Sequence, residues 1–105
     1  MTYGAGMLRH VVMFRWAPDA TDEARAAVAE GLTALPESIE VIRRYHHGAD
    51  AGLADGNWDY VVVADFDDEA AYLEYRDHDV HQALIAERIR PIVAERVAVQ
   101  YEVEI

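Results

Sequence analysis

Four polar side chains that could take part in proton transfer lie close together in residues 72–89. They are Tyr72, Tyr75, His78 and His81. An imidazole exchanges protons near neutral pH, and a tyrosine hydroxyl can donate a hydrogen bond to a developing negative charge. This combination of residue types is suited to general acid–base chemistry.

Two short helical patterns meet at this polar joint, and the second one positions a histidine. One face of that second helix carries residues at helical spacing, namely His81, Leu84, Ile85, Arg88, Ile89 and Ile92. Asp79 is expected to cap the helix, with Gln82 completing a capping box. His81 would then lie in the first turn, where the helix dipole disfavours an imidazolium. A neutral imidazole facing a cavity would be a base or a donor, and the alternative is a hydrogen-bonded core residue.

The histidine spacing also raises the question of a metal site. His78 and His81 stand three residues apart and would share a face only in a continuous helix, which the capped joint interrupts. No third ligand is evident nearby, so we expect no metal. His46 and His47 are neighbours on a predicted strand and would point to opposite faces. We expect both at the surface or at the rim of a dimer.

The hydrophobic pattern along the chain predicts four strands and two helices, the second helix being broken in two. Thr21 is expected to cap the first helix and Pro36 to end it, while Asp67 or Asp68 caps the second. Pro91 is expected to kink or end the last helical stretch. In chain order the expected elements are a strand at 7–16, a helix at 22–34, strands at 39–47 and 58–66, the broken helix, and a strand at 97–105.

The order β-α-β-β-α-β predicts an α+β, ferredoxin-like fold, in which a four-stranded antiparallel sheet carries helices on one face. The other face would expose apolar residues such as Val11, Met13, Val61 and Val63. A second copy packing face to face would bury them, so we expect a homodimer formed through the sheet faces.

Composition limits the classes of partner. The chain has 105 residues, which predicts a single domain at 7–105 after a flexible tail at 1–6. The net charge of −11 argues against nucleic acid and anionic membranes as partners. The sequence has no Cys, and all of its basic residues are Arg, so thiol and Schiff-base chemistry are excluded. With no secretory signal visible, we expect a cytoplasmic protein, and the Arg bias with abundant Ala is associated with GC-rich bacterial genomes.

At this point five stretches of the sequence resemble the stress-responsive dimeric α/β-barrel (Dabb) family. The resemblance covers about residues 7–103, and its most specific parts are the RHVV opening, the Tyr75-x-x-His78-x-x-His81 joint and the Arg90-Pro91 pair. It implies a ferredoxin-like fold and a homodimer whose two sheets form a barrel. The stretches are LRHVVMFRW, ALPESIEVIRRYHHGAD, WDYVVVADFDDEAAYLEY, HDVHQALIAERIRPIV and VQYEV.

Within the family, the resemblance extends to a plant branch of the olivetolic acid cyclase type. Members of that branch close a linear polyketide by an aldol step without a cofactor. The resemblance implies that Tyr75 and His81 correspond to the catalytic pair of that branch, and that His10 and Tyr60 occupy two further cavity positions. Asp79 stands where many members have Pro, which is a departure from the family pattern.

The sequence predicts one candidate site, and three functions are compatible with it. An aldol closure needs a base and a donor to the enolate oxygen, roles suited to His81 and Tyr75. The functions are a ligand-binding barrel acting as a cofactor-free cyclase or lyase, a non-enzymatic structural or stress-response dimer, and a cofactor-free oxygenase of hydroxylated aromatics. We expect no cofactor and a small hydrophobic or aromatic ligand. The expected ligand-binding residues are His10, Tyr60, Val62, Tyr72 and His78.

Overall fold

The computed structural model describes residues 6–104. Of the predicted tail at residues 1–6, residues 1–5 lie outside the described residues, whereas Gly6 already begins the first strand. In chain order the elements are β1 (Gly6–Trp16), α1 (Asp22–Ser38), β2 (Arg44–Ala49), β3 (Tyr60–Phe66), α2 (Glu69–Asp77), α3 (Asp79–Leu84), a π-helical segment (Ile85–Ile89) and β4 (Val93–Glu104).

The four strands form one antiparallel sheet in the order β2-β3-β1-β4. His10 on β1 stands opposite Ala64 on β3 and Gln100 on β4. Because cross-strand partners share a face, these three residues look toward the same side of the sheet. The predicted ferredoxin-like α+β class, with helices on one face, is confirmed.

The hydrophobic core lies between the sheet and the helices. From the sheet, Phe66 and Ala64 are completely buried, and from α1, Val28 is as well. Tyr75 on α2 and Leu84 on α3 complete the helical side. The alternation of β1 and β3 and the helical spacing of α1 therefore point their apolar residues to a common interior.

The prediction that Pro36 ends the first helix was wrong, because α1 continues through Pro36 to Ser38. A proline this close to a helix end removes only one backbone hydrogen bond. Leu35 and Ile39 are almost fully buried, and the Ile39 amide donates to the Leu35 carbonyl at 3.0 Å. Burial of these two side chains keeps the last turn helical. The Thr21 cap is present, since its hydroxyl accepts from the Ala24 amide.

Several strand boundaries also differ from prediction, and the starts of β2 and β4 differ most. β2 begins at Arg44 rather than 39, because Ile39 serves as the C-cap of α1 and the chain turns before entering the sheet. β4 begins at Val93 rather than 97, since it pairs with β1 as far as Trp16. Its first residues are needed to complete the long ladder with β1.

The joint between α2 and α3 is capped differently from the prediction. Asp79 is the first residue of α3, and His78 is its N-cap, with Nδ1 accepting from the Val80 amide at 3.1 Å. Gln82 does not complete a capping box, because its side-chain amide donates to the Arg76 carbonyl at 2.6 Å. Asp68, one of the two predicted candidates, caps α2.

A π-helical segment follows α3 directly, and the sequence pattern did not reveal it. Its wider turn is marked by the Arg90 amide, which donates to the Ile85 carbonyl at 2.8 Å. The change of phase buries Ile89 and leaves Arg88 exposed, although both belonged to the predicted apolar face. Single π-helical turns are frequent at functional sites because they reorient side chains.

The other face of the sheet has no helix over it among residues 6–104. Val97, Val99 and Tyr101 on β4 are among its exposed apolar residues. On this face the buried carboxylate of Asp65 accepts two hydrogen bonds from the Arg9 guanidinium, at 2.8 and 2.9 Å. This ion pair holds the pKa of Asp65 below its ordinary range. No helix in the described residues has the length and hydrophobicity to cross a membrane.

Candidate active site

A cavity of about 570 Å³ opens between the sheet and the helices α2 and α3. Apolar side chains from β1, β3, α1 and the π-helical segment line it together with polar side chains from β1, α2, α3 and β4. The lining residues important here are Val12, Leu32, Val62, His10, Tyr72, Tyr75, His81, Arg90 and Arg96. A concave, mostly apolar pocket with a few convergent polar groups is the usual form of a small-molecule site.

His81 lies in the first turn of α3 and lines this cavity. Its Nδ1 lies 3.0 Å from the Arg76 carbonyl, which can only accept, so Nδ1 carries the proton and donates. Nε2 then bears the lone pair, and no side chain or backbone group of residues 6–104 hydrogen-bonds to it. Burial lowers the pKa of His81, so the imidazole is neutral at pH 7. A neutral imidazole with a free Nε2 is a competent base.

Tyr75 contacts His81 by stacking rather than by a hydrogen bond. The ring centroids are 4.1 Å apart with 31° between the planes. The Tyr75 hydroxyl instead lies 2.9 Å from that of Tyr45, and burial raises the pKa of Tyr75 to about 12. Tyr75 lines the cavity, whereas Tyr45 does not. If Tyr45 donates to Tyr75, the Tyr75 proton is free for a ligand oxygen.

His10 forms part of the cavity floor and is almost fully buried. The Gln100 amide nitrogen, which can only donate, lies 2.8 Å from His10 Nδ1, so the ring proton is on Nε2. Burial lowers the pKa of His10 to about 4, so the ring is neutral. His10 is therefore a second donor beside Tyr72, whose ring centroid lies 5.0 Å away.

Not all of the predicted ligand-binding residues reach the cavity. Val62 and Tyr72 line it together with His10. Tyr60 faces the helices as predicted, but its hydroxyl lies 2.6 Å from His47 Nδ1 and it does not line the cavity. His78 is occupied as the N-cap of α3 and lies outside the cavity.

His47 was expected at the surface or at a dimer rim, but it forms a hydrogen-bonded network on the helix-covered face. Its Nε2 lies 2.9 Å from the Thr33 hydroxyl, which in turn donates to the Ala29 carbonyl. The Thr33 oxygen therefore accepts from Nε2–H, and Nδ1 accepts from the Tyr60 hydroxyl. Both nitrogens of His47 have partners. Its neighbour His46 is exposed on the opposite face, as the strand alternation predicted.

Several residues of the site were missed by the reasoning from sequence. Tyr45, the hydrogen-bond partner of Tyr75, could have been found from its parity with His47 on β2. Gln100 and Arg96 lie on β4, where the alternation shows their shared face but not the cavity. Within residues 6–104, no three His, Asp or Glu side chains are grouped so that they could hold a metal ion.

Solved structures with the same fold were found by comparison. A dimeric ferredoxin-like protein of unknown function from Thermobifida fusca is 40% identical, with a TM-score of 0.87, and the match covers 98% of this chain and 96% of that one. A dimeric protein of the same fold from Bacteroides fragilis is 26% identical, with a TM-score of 0.80 and coverage of 98% and 100%. The hydroxynitrile lyase from Passiflora edulis is 17% identical, with a TM-score of 0.81 and coverage of 93% and 94%.

No functionally curated protein matches the chain at the level of sequence. The family model for the stress responsive A/B barrel domain (Dabb) matches residues 8–103, which is nearly the whole chain. The match includes the strands, the helices and the polar joint described above. The protein belongs to the Dabb family.

Proposed function

We propose that the cavity binds a small aromatic or polyketide-like carbonyl compound and that His81 removes a proton next to its carbonyl group. The observation that carries this proposal is the tautomer of His81. Its Nδ1–H is held by the Arg76 carbonyl, so among residues 6–104 the basic Nε2 is left without a partner in a cavity lined by both apolar and polar side chains. The protein would thus be a cofactor-free cyclase or lyase.

The chemistry needs a base and donors to the developing oxyanion. Nε2 of His81 takes the proton from the α-carbon, and the electron pair moves onto the carbonyl oxygen. The Nε2–H of His10 is a donor available to that oxygen, and so is the Tyr75 hydroxyl when Tyr45 donates to it. The resulting enolate can attack a second carbonyl and form a carbon–carbon bond, and the proton on His81 then returns to the new alkoxide.

The fold is compatible with this class of reaction, since a protein described as a hydroxynitrile lyase has the same architecture. That likeness is one of fold, so any activity of this chain depends on its own side chains. The geometry of the base, the apolar walls and the two donors supports proton abstraction.

The experiment is a base-catalysed elimination that needs no knowledge of the natural substrate. 5-Nitrobenzisoxazole loses its ring C–H proton to a base, its N–O bond breaks, and a coloured phenolate forms. The rate constant of elimination for the wild-type protein should exceed that for free imidazole by about 100-fold per base, a typical contribution of a positioned general base. His81→Ala should return the rate to background. His47→Ala is the matched control, because it removes a histidine with two protein partners.

Two results would contradict the proposal in different ways. If His81→Ala keeps the wild-type rate while folded, His81 is not the base. If the wild-type protein is no faster than free imidazole, the cavity does not abstract protons, and a non-enzymatic ligand-binding dimer becomes the better description.

The proposal includes a homodimer formed through the open face of the sheet. Val97, Val99 and Tyr101 are 40%, 61% and 46% exposed, and a neighbour 40% identical to this chain is described as dimeric. A second copy packing on this face would bury these side chains. Sedimentation at micromolar concentration should give twice the chain mass of 11.8 kDa, and Val99→Asp should shift the protein toward monomer. A wild-type monomer would contradict the barrel assembly.

A further inference from the structure

The arginines of this chain divide into two groups according to their partners. Six of them lie within ion-pair distance of a carboxylate: Arg9, Arg15, Arg25, Arg43, Arg76 and Arg88. Arg44, Arg90 and Arg96 have no such partner within residues 6–104. The chain contains 20 acidic residues, so carboxylates are abundant and unpaired arginines are notable. Two of these three arginines, Arg90 and Arg96, line the cavity.

The position of Arg96 relates it to the candidate active site. Arg96 stands opposite Phe14 on the ladder between β1 and β4, so it shares the helix-covered face with His10. Its positive charge is among the causes, after burial, that lower the pKa of His10 and of His81. Arg90 follows the π-helical segment directly. Both side chains are exposed, so they lie where the cavity meets solvent.

The cavity has little negative charge of its own. Among residues 6–104, Glu95 is the one carboxylate that lines it, and its Oε2 lies 3.2 Å from Arg15 Nε. His10 and His81 are neutral, and Arg76 is paired with Asp77. In a chain of net charge −11, this region is therefore locally positive and faces an apolar interior.

We propose that Arg96, assisted by Arg90, binds the carboxylate of an organic acid whose apolar body occupies the cavity. This inference rests on the proposed function, since the cavity is the same one. A guanidinium presents paired N–H donors that match a planar carboxylate. Without these two guanidinium groups the negative charge of the whole chain would repel an anion. The walls formed by Val12, Leu32 and Val62 fit an aromatic or alkyl body.

A pair of probes of nearly the same shape tests the inference by calorimetry. 2-Naphthoate carries the carboxylate, and 2-naphthamide replaces it with a neutral amide. The wild-type protein should bind the acid about 10- to 100-fold more tightly than the amide, the range expected for hydrogen bonds to a charged group. Arg96→Gln should remove that preference while changing the affinity for the amide less than about twofold. Arg96→Lys should restore part of it, because a lysine keeps the charge but not the paired geometry.

The matched control is Arg25→Gln, which makes the same change of charge at the start of α1, outside the cavity. It should leave both affinities unchanged, and thermal melting should show all variants folded. Equal binding of acid and amide by the wild type would overturn the carboxylate site but leave the ligand cavity intact. Binding of neither probe would count against both the inference and the proposed function. If 2-naphthyl phosphate bound tenfold or more tightly than 2-naphthoate, the site would be for a phosphoryl group instead, and the carboxylate assignment would be wrong.

Discussion

Two groups of histidine and tyrosine side chains lie between the sheet and its helices, and they differ in how their hydrogen bonds are used. In the β2–β3 group, His47 has a partner on each ring nitrogen, Tyr60 and Thr33. In the cavity group, His10 and His81 each have a partner on Nδ1 alone. Among residues 6–104, both nitrogens of His47 therefore have protein partners, whereas Nε2 of His10 and Nε2 of His81 have none and are open to water or a ligand.

The contrast distinguishes a structural polar cluster from a candidate site. A buried polar group without a partner lowers stability, and within residues 6–104 only Arg15 Nε is such a side-chain atom. The network around His47 is complete, because each hydroxyl or ring N–H in it donates to an acceptor. The free nitrogens of His10 and His81 lie beside a cavity instead, where a ligand could complete them. Burial alone would not separate the two groups, because it lowers the pKa of His47 as well.

The largest expected effect is on the pH dependence of stability. The pKa of His10 is lowered to about 4 in the folded chain, against an ordinary value of about 6.5. Between these pH values the histidine of the unfolded chain binds a proton, whereas folded His10 does not. The free energy of unfolding is therefore highest above pH 6.5 and falls as the pH is lowered toward 4. The loss is on the order of 3 kcal/mol. His10→Asn should flatten this part of a urea-derived stability profile.

His46→Asn is the control, because His46 is exposed on the other face. Asp65 should not confuse the measurement, since its pKa lies below its ordinary value of 3.8 and its contribution is lost only at lower pH. A profile that is equally steep with and without His10 would show that His10 is not buried in its neutral form.

The two groups should also differ, by a smaller amount, in how much stability is lost when their histidine is replaced by alanine. His47→Ala breaks two hydrogen bonds and leaves the Tyr60 hydroxyl without its acceptor, so we expect a loss of about 2 kcal/mol in the free energy of unfolding. His81→Ala should change it by less than about 1 kcal/mol, because the Arg76 carbonyl keeps a bond from Gln82. Chemical denaturation of both variants measures the difference. Equal losses would make His81 a structural residue like His47.

The smallest expected effect is that of a chelator. The two histidines at the α2–α3 joint have other partners, since His78 caps α3 and His81 donates to Arg76. EDTA should therefore leave the melting temperature unchanged. A fall in melting temperature that one divalent ion restores would mean that these histidines bind a metal, because metal binding stabilises only the folded state.

Much of the arrangement could be predicted from sequence because it depends on simple periodicities. Strand alternation placed His10 and Val62 toward the helices, and helical spacing placed Tyr75 and His81 on short helices facing them. Position within each element was also enough to place His81 in the first turn of α3. These predictions needed only the local direction of each side chain.

What could not be predicted depends on contacts between elements distant in sequence. Periodicity shows the face of the sheet on which Arg96 lies, but it does not show that a cavity lies over that part of the face. The His78 cap depends on a histidine replacing the usual capping residues, since its Nδ1 can accept as a carboxylate does. The π-helical segment differs from an α-helix by one residue per turn, and an apolar run is compatible with both.

The tautomers of the histidines test the central claim most directly. Two-dimensional ¹H–¹⁵N spectra that correlate ring nitrogens with ring carbon-bound protons report which nitrogen is protonated. At pH 7 we expect His81 to be neutral with the proton on Nδ1, and His10 and His47 to be neutral with the proton on Nε2. An Nε2-protonated or doubly protonated His81 would contradict the account, because no lone pair would then be available to a ligand in the cavity.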